Sequence, residues 1–415
     1  MFFFPYHKKI IFLQVFSEGV YLAEIQVSGL YKVFGDNPEM AYPLVEEGLS
    51  RTEIRERSGQ TVVLRDISFS IEKGETFVIM GLSGSGKSTL LRCINRLIPL
   101  SKGTVLIGED GIDIMELDDA ALLALRRMKF GMVFQHFGLL PHRTVLANAG
   151  LGLEIQGEAK DAIEEKCKRA LKLVGLEGWE SSMPSELSGG MKQRVGLARA
   201  LAVDPDILFM DEPFSALDPL IRQDMQEELI KLQKKMKKTI LFITHDLDEA
   251  IKLGDRIAIL NEEGVMVQVD TPEQILLSPA NEFVRTFVQN VEYGSVIRVE
   301  TLAHGMESAI EITASPSEAL SRIKQDEVGI GYVVRDGAYV GIVTEGALED
   351  ASDANDRALE HYVGKLRAVE GVKTLNQCLP ALISSPYPVP VIDADGQFLG
   401  YIREHDAINV LRRRV

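Results

Sequence analysis

Nine consecutive residues constrain this chain more than any other stretch. Gly81-Leu82-Ser83-Gly84-Ser85-Gly86-Lys87-Ser88-Thr89 follows a short apolar run, Phe77-Val78-Ile79-Met80, and leads into a helical segment, Lys87 to Arg96. A short apolar run closed by glycine or polar residues reads as a strand buried on both faces. Glycine, four residues, then Gly-Lys-Ser is the spacing of a phosphate-cradling loop. Gly81, Gly84 and Gly86 let the backbone turn tightly, so that its N–H groups aim inward at phosphate oxygens. A helix starting at Lys87 adds the partial positive charge of its N-terminus. The Lys87 ammonium suits β- and γ-phosphates, and the Ser88 hydroxyl suits Mg²⁺. A glycine-rich turn without a ligand is the bland reading, and the strand before and helix after argue against it.

The same strand-helix rhythm extends from about Tyr21 to Val291, with runs Ile207 to Met210 and Ile240 to Ile243 and a helix over Gln193 to Ala202. Such alternation predicts an α/β fold with a largely parallel sheet. The 415 residues give room for two to three domains. A detour, Gly35 to Gly59, looks inserted ahead of the loop, and Ser50 and Glu53 have the spacing of a capping box that starts a short helix. From about Ser295 the chain repeats itself. Tyr332 to Ala351 matches Val389 to Leu411 with Gly341 over Gly400, each copy reading strand, turn, strand, helix after an earlier helix, Ser317 to Lys324 or Leu375 to Ile383. The acidic stretch Glu349 to Asp356 joins the copies.

Composition narrows the partners. Lys and Arg number 45 against 61 Asp and Glu, a net charge of −16, which disfavours a general nucleic-acid binder. Cys93, Cys167 and Cys378 are widely spaced without metal-ligand pattern, as expected of a reducing compartment. No segment reads as a transmembrane helix. The apolar start, Met1 to Phe16, is interrupted by Pro5, His7, Lys8 and Lys9 and lacks the order of a secretory signal. It reads as an extension, with a membrane-surface anchor as the alternative; the Arg412 to Arg414 run reads as a solvated tail with the same alternative. Work at a membrane would require docking on another polypeptide.

Further candidates sit at strand ends, where open α/β sheets bind ligands. Asp211-Glu212 follows the Ile207 run; Asp211 is suited to hold Mg²⁺ and Glu212 to polarise an attacking water. His245 ends the Ile240 to Thr244 strand and is placed to contact a γ-phosphate. Gln135 follows Met132-Val133-Phe134, with an amide for Mg²⁺ or the water. Ser188-Gly189-Gly190 before a helix makes a second anion site. One nucleotide does not need two cradles, so the Ser188 loop is expected to serve a nucleotide held by another copy.

In this order, these elements resemble the ATP-binding cassette (ABC) family over about Ile25 to Val291. GLSGSGKST matches its P-loop, VFQ its Q-loop, LSGGMKQ its signature, ILFMDEP its acidic strand, SALD its D-loop and THD its H-loop. The resemblance implies a P-loop ATPase domain, a mixed sheet with a helical subdomain, that binds ATP and Mg²⁺. It implies a head-to-tail dimer in which Gly81, Ser83, Gly84, Gly86, Lys87, Ser88 and Thr89 of one copy face Ser188, Gly190 and Asp218 of the other. Phe34 matches the adenine-stacking position. The stretch after the Q-loop, His136 to Asn148, matches the place that receives a membrane partner.

The whole chain is similar to ATPase subunits of glycine betaine/proline importers, through the detour, FSALDPLIRQDMQEEL and Val284 to Val296. The repeat resembles tandem CBS modules, α+β units that regulate such importers by ionic strength or a nucleotide messenger. The expected division is an extension at 1–22, an ATP-binding domain at 23–291 and modules at 292–355 and 356–415. Each module has half of the polar pair expected for ribose: Thr344 with Ala347, and Arg403 with Asp406. Expected partners are a second copy, membrane permease subunits and an extracellular or permease-fused solute-binding protein, at the cytoplasmic face of the membrane. An importer ATPase for another solute and a soluble cassette ATPase are the rival readings.

Overall fold

A computed structural model describes residues 23–412 apart from 136–137, 216, 306, 308, 326–328 and 353–357. The 1–22 extension, Arg413 and Arg414, and residues 353–356 of the acidic stretch lie outside the described residues. The described residues form two compact units: 23–77, Gly84–Ile243 and Glu262–Val265; and Val78–Ser83, Thr244–Asn261 and 266–412.

The strands β1 (Ala23–Phe34), β2 (Thr61–Glu72), β3 (Thr76–Gly81), β4 (Lys102–Ile107), β5 (Ile112–Asp113), β6 (Phe130–Val133), β7 (Ile207–Asp211) and β8 (Thr239–Thr244) build the first unit, with the last four residues of β3 and the last of β8 counted to the second. One sheet is antiparallel, ordered β2-β1-β4-β5. The other runs β3-β8-β7-β6, with β6, β7 and β8 mutually parallel. Every residue of β3, β7 and β8 is buried, as continuous apolar runs predict for strands covered on both faces. The Lys87–Ile94 helix buries Leu90, Leu91, Cys93 and Ile94, each of the leucines and the isoleucine contributing roughly 1.5–3 kcal/mol. It ends two residues short of the expected Arg96, because Arg96 adopts a left-handed backbone at φ 52°. The signature helix is longer than expected at its start, Gly189–Ala202 rather than Gln193 onward.

The 36–59 detour is a packed satellite. A short helix, Ala41–Glu46, and a second, Arg51–Ser58, place Ala41 and Ile54 against Val33 and Val62. The capping box forms as the spacing predicts: Ser50 Oγ accepts from the Glu53 N–H, and the Glu53 carboxylate accepts from the Ser50 N–H. A helical region carries Lys160–Leu173, packed on the signature helix, and Val145–Ala149. The fully buried Asn148 ties down the preceding loop, accepting from the Leu140 N–H at 2.7 Å and donating to the Leu140 and Arg143 carbonyls.

In the second unit β9 (Arg256–Leu260) lies next to the end of β3 and pairs antiparallel with β10 (Met266–Asp270). The repeat follows as two three-stranded sheets of identical plan. β11 (Ala309–Glu311) pairs parallel with β12 (Ile330–Arg335), and β12 antiparallel with β13 (Ala338–Thr344). β14 (Val369–Glu370), β15 (Val389–Ile392) and β16 (Phe398–Ile402) repeat those directions. The aligned glycines are equivalent in register: Gly341 opposes Val333, Gly400 opposes Val391, and an irregularity follows at the same place in each pair. The copies meet through aromatic rings. Tyr332 stacks on Phe398 and Tyr401 with centroids 5.2 and 5.1 Å apart, and each hairpin donates a backbone hydrogen bond to the other. Residues 297–304 hydrogen-bond along the second copy, through Val299 to Lys373, Glu300 to Gly371 and His304 to Tyr401, although they precede the first in sequence.

Candidate functional site

The phosphate loop joins β3 to the Lys87–Ile94 helix. Gly81, Gly84 and Gly86 have φ of 158°, 81° and 110°. At Gly86 a Cβ would also lie 3.0 Å from side-chain carbons of Val63 and Leu64, so conformation and space both demand glycine there. Ser83 and Gly84 are exposed at the loop tip, and Ser88 and Thr89 are half-buried in the first helical turn.

Lys87 is buried, 5% exposed, and aims its ammonium at the acidic strand end: Nζ lies 3.7 Å from Glu212 Oε1. Burial pulls the Lys87 pKa down, opposed by the Glu212 and Asp211 charges. Ser88 Oγ donates to Asp211 Oδ1 at 2.7 Å, and Arg92 Nη2 stands 3.7 Å from Asp211 Oδ2. Asp211 is the last residue of β7, delivered by the buried strand to its tip. Glu212 then turns sharply, at φ 44°, while its N–H donates to the Ile243 carbonyl on β8. A non-glycine residue in that region costs roughly 1–3 kcal/mol, which the surrounding hydrogen bonds sustain. Gln135 Nε2 is 3.5 Å from both Glu212 Oε2 and Ser215 Oγ, and Ser215 donates to the Glu212 carbonyl at 3.0 Å. Five residues expected from sequence, Lys87, Ser88, Gln135, Asp211 and Glu212, are therefore one connected cluster.

The other expected residues each have a defined place in their own element. Ser188 is exposed and caps the signature helix, accepting from the Met191 N–H at 3.3 Å. Gly190 is buried where a Cβ would overlap Ile221. Asp218 caps the Pro219–Met236 helix, accepting from the Ile221 N–H at 3.1 Å. His245 follows β8 directly and is exposed. Phe34 ends β1, 44% exposed, with Lys32 Nζ 4.6 Å from its ring centroid.

Three residues carry structure around the site that sequence reasoning left without a role. The Gln193 amide donates to the Pro213 carbonyl and so ties the signature helix to the turn after Glu212. Ser85 is fully buried in the phosphate loop. Arg51, from the detour, reaches the Gly84 and Ser85 carbonyls. Only the capping box hinted at the helix that presents Arg51, and nothing in the sequence hinted at its target.

Residues 64–215, which span the loop, Gln135, the signature and Asp211-Glu212, match the family described as ABC transporter. The chain is 45% identical over 394 residues to the glycine betaine/proline betaine transport system ATP-binding protein ProV of Escherichia coli, covering 94% of this chain and 98% of that one. It is 50% identical over 281 residues to the trimethylamine N-oxide transport system ATP-binding protein TmoW of Pelagibacter ubique, covering 67% and 80%. Among solved structures it resembles a dimeric ATP-binding cassette in a post-hydrolysis state bound to ADP and phosphate, with 32% identity, a TM-score of 0.50, and coverage of 60% of this chain and 98% of that one. With the phosphate loop and acidic strand end meeting as described, and a 45% identical relative matched almost end to end, the chain belongs to the ABC transporter family of ATP-binding proteins.

Proposed function

We propose that this ATPase energises an importer for small N-methylated zwitterions such as glycine betaine and proline betaine, with two copies sandwiching ATP beneath membrane permease subunits. The single observation that supports the chemistry is the Lys87–Glu212 and Ser88–Asp211 cluster, which sets an ammonium, a hydroxyl and two carboxylates around one phosphate loop. The solute class follows from the relatives, transport-system proteins for glycine betaine, proline betaine and trimethylamine N-oxide, solutes that share a methylated nitrogen.

In this reading the loop N–H groups from Gly81 to Thr89 and the Lys87 ammonium bind the ATP phosphates. Phe34, an exposed ring at the end of β1, stacks on the adenine. The Ser88 hydroxyl and Asp211 carboxylate, hard oxygen donors 2.7 Å apart, fit Mg²⁺, and the Gln135 amide, which touches Glu212, would be a further ligand. When bound, that ion would supply charge neutralisation to the phosphates. Glu212 Oε2 takes a proton from the water that attacks the γ-phosphorus, the bond from that phosphorus to the β–γ bridging oxygen breaks so that ADP leaves with that oxygen, and Gln135 orients the carboxylate. His245 donates to the γ-phosphate. Ser188, Gly190 and Asp218 act on the nucleotide of the opposite copy. Residues 23–291 then constitute the ATP-binding domain and 292–355 and 356–415 a regulatory pair that responds to osmolarity. No helix among the described residues is long and apolar enough to cross a membrane. The chain works at the cytoplasmic face by docking on the permease, which a solute-binding protein supplies.

In the repeat, Thr344 Oγ1 accepts from the Ala347 N–H, and the Asp406 carboxylate accepts from the Arg403 N–H. Both polar halves of the ribose pattern cap their own helices, which favours regulation without adenosine binding. The test is uptake of labelled glycine betaine into cells with and without this chain, over a range of external osmolarity. Uptake that depends on the chain and rises with osmolarity is expected, with trimethylamine N-oxide competing. Uptake unchanged on removing the chain would refute the cargo, and a flat osmotic response would refute the regulatory part.

A further inference from the structure

The detour between β1 and β2 reaches the outer surface of the phosphate loop. Ser50 caps the Arg51–Ser58 helix, which fixes Arg51 at its first turn. From there Nη1 donates to the Gly84 carbonyl at 3.1 Å and Nη2 to the Ser85 carbonyl at 3.0 Å, and Nη2 also donates to the Val63 carbonyl on β2. The guanidinium fork thus links two successive loop peptides to the neighbouring strand.

A counter-charge anchors the backbone that carries the fork. Glu263, in the turn between β9 and β10, accepts from the Arg51 N–H at 2.8 Å and from Arg65 Nη2 at 2.8 Å. Arg65 in turn donates to the Leu49 carbonyl just before the cap. Gly264 approaches Val63 and Arg51 so closely that a Cβ would overlap both. Burial disfavours charge on Arg51, and Glu263 opposes that cost.

Peptide geometry gives the contact its consequence. The Gly84 carbonyl belongs to the same planar trans unit as the Ser85 N–H, and the Ser85 carbonyl to that of the Gly86 N–H. In a trans unit the carbonyl and N–H point in opposite directions. A cation clasping both carbonyls from outside therefore turns both N–H groups towards the cradle and adds positive potential behind them.

We propose that Arg51 is a positioning residue for nucleotide binding, a brace through which the 36–59 segment holds the Ser85 and Gly86 N–H groups aimed at the phosphates. The proposal rests on the reading of the loop as the cradle for ATP. The test compares the full chain with Arg51→Met, which keeps the stem and removes the fork, and with Arg51→Lys, which keeps the charge but replaces the rigid planar fork with a compact ammonium on a flexible stem. MgATP and MgADP dissociation constants are measured by calorimetry, alongside the melting temperature without nucleotide. Arg51→Met is expected to weaken both nucleotides about tenfold while the nucleotide-free melting temperature moves only a few degrees, and Arg51→Lys to fall about midway. Dissociation constants within twofold of wild type in Arg51→Met overturn the brace. Should that variant not fold, Arg51→Lys decides: weakened nucleotide with an unchanged melting temperature supports the brace, and wild-type affinity overturns it. A wild-type chain that binds neither nucleotide refutes the ATP reading itself, a result distinct from a wild type that binds and a variant that binds equally well.

Discussion

Glu212 concentrates the chemistry of the site in one side chain. It follows a buried strand, sits in a left-handed backbone conformation, faces the Lys87 ammonium at 3.7 Å and is touched by the Gln135 amide. Glu212→Gln keeps that shape and removes the proton acceptor. Phosphate release is expected to fall at least about 100-fold, with MgATP affinity retained, because the cradle survives. Near-normal turnover in this variant would deny Glu212 its role. Lys87, Ser88, Asp211 and Glu212 were legible in the sequence because each motif is local and strand-ended, so the fold brings their tips together. Arg51 was not: its partners Gly84 and Glu263 lie 33 and 212 residues away, and no local pattern encodes a contact at that separation.

The Arg51–Ser58 helix shows how an element carries a residue. Its start rests on the reciprocal Ser50–Glu53 box, and hydrogen bonds from the Ser50 backbone and then its side chain hold the Glu53 pKa below its ordinary 4.5. A carboxylate whose pKa is depressed by folding contributes stability above its ordinary value and loses it as pH falls through the lowered one. Amide protection in this helix should therefore be level from pH 7 to about 5 and decline progressively below about 4.5. Exchange measured by mass spectrometry checks this, and a decline that begins near neutrality would contradict it. Ser50→Ala should speed exchange in the helix about fivefold. At this scale the sequence was most informative for strands buried on both faces. The expected Phe77 to Met80 run became Thr76–Gly81, and Ile240 to Thr244 became Thr239–Thr244. Helix ends were less legible from periodicity: the left-handed Arg96 is decided by turn geometry, and the Ser188-Gly189-Gly190 run rather than the apolar pattern marks where the signature helix starts.

For the whole molecule, the internal repeat predicted two modules of one plan, and the register of Gly341 and Gly400 bears that equivalence out. The course of residues 297–304 along the second module was not legible, because the backbone hydrogen bonds that define it leave no mark in composition. The central claim concerns two copies, each exposing Ser83 at its loop tip and Ser188 at its signature cap. The direct measurement uses the Glu212→Gln chain, one preparation carrying Ser83→Cys and the other Ser188→Cys, mixed and oxidised with and without MgATP. The native thiols of Cys93, Cys167 and Cys378 are buried, which keeps the background low. A crosslinked pair that forms with MgATP and fails to form without it is predicted. No crosslink at saturating MgATP, or the same yield without nucleotide, would contradict the account.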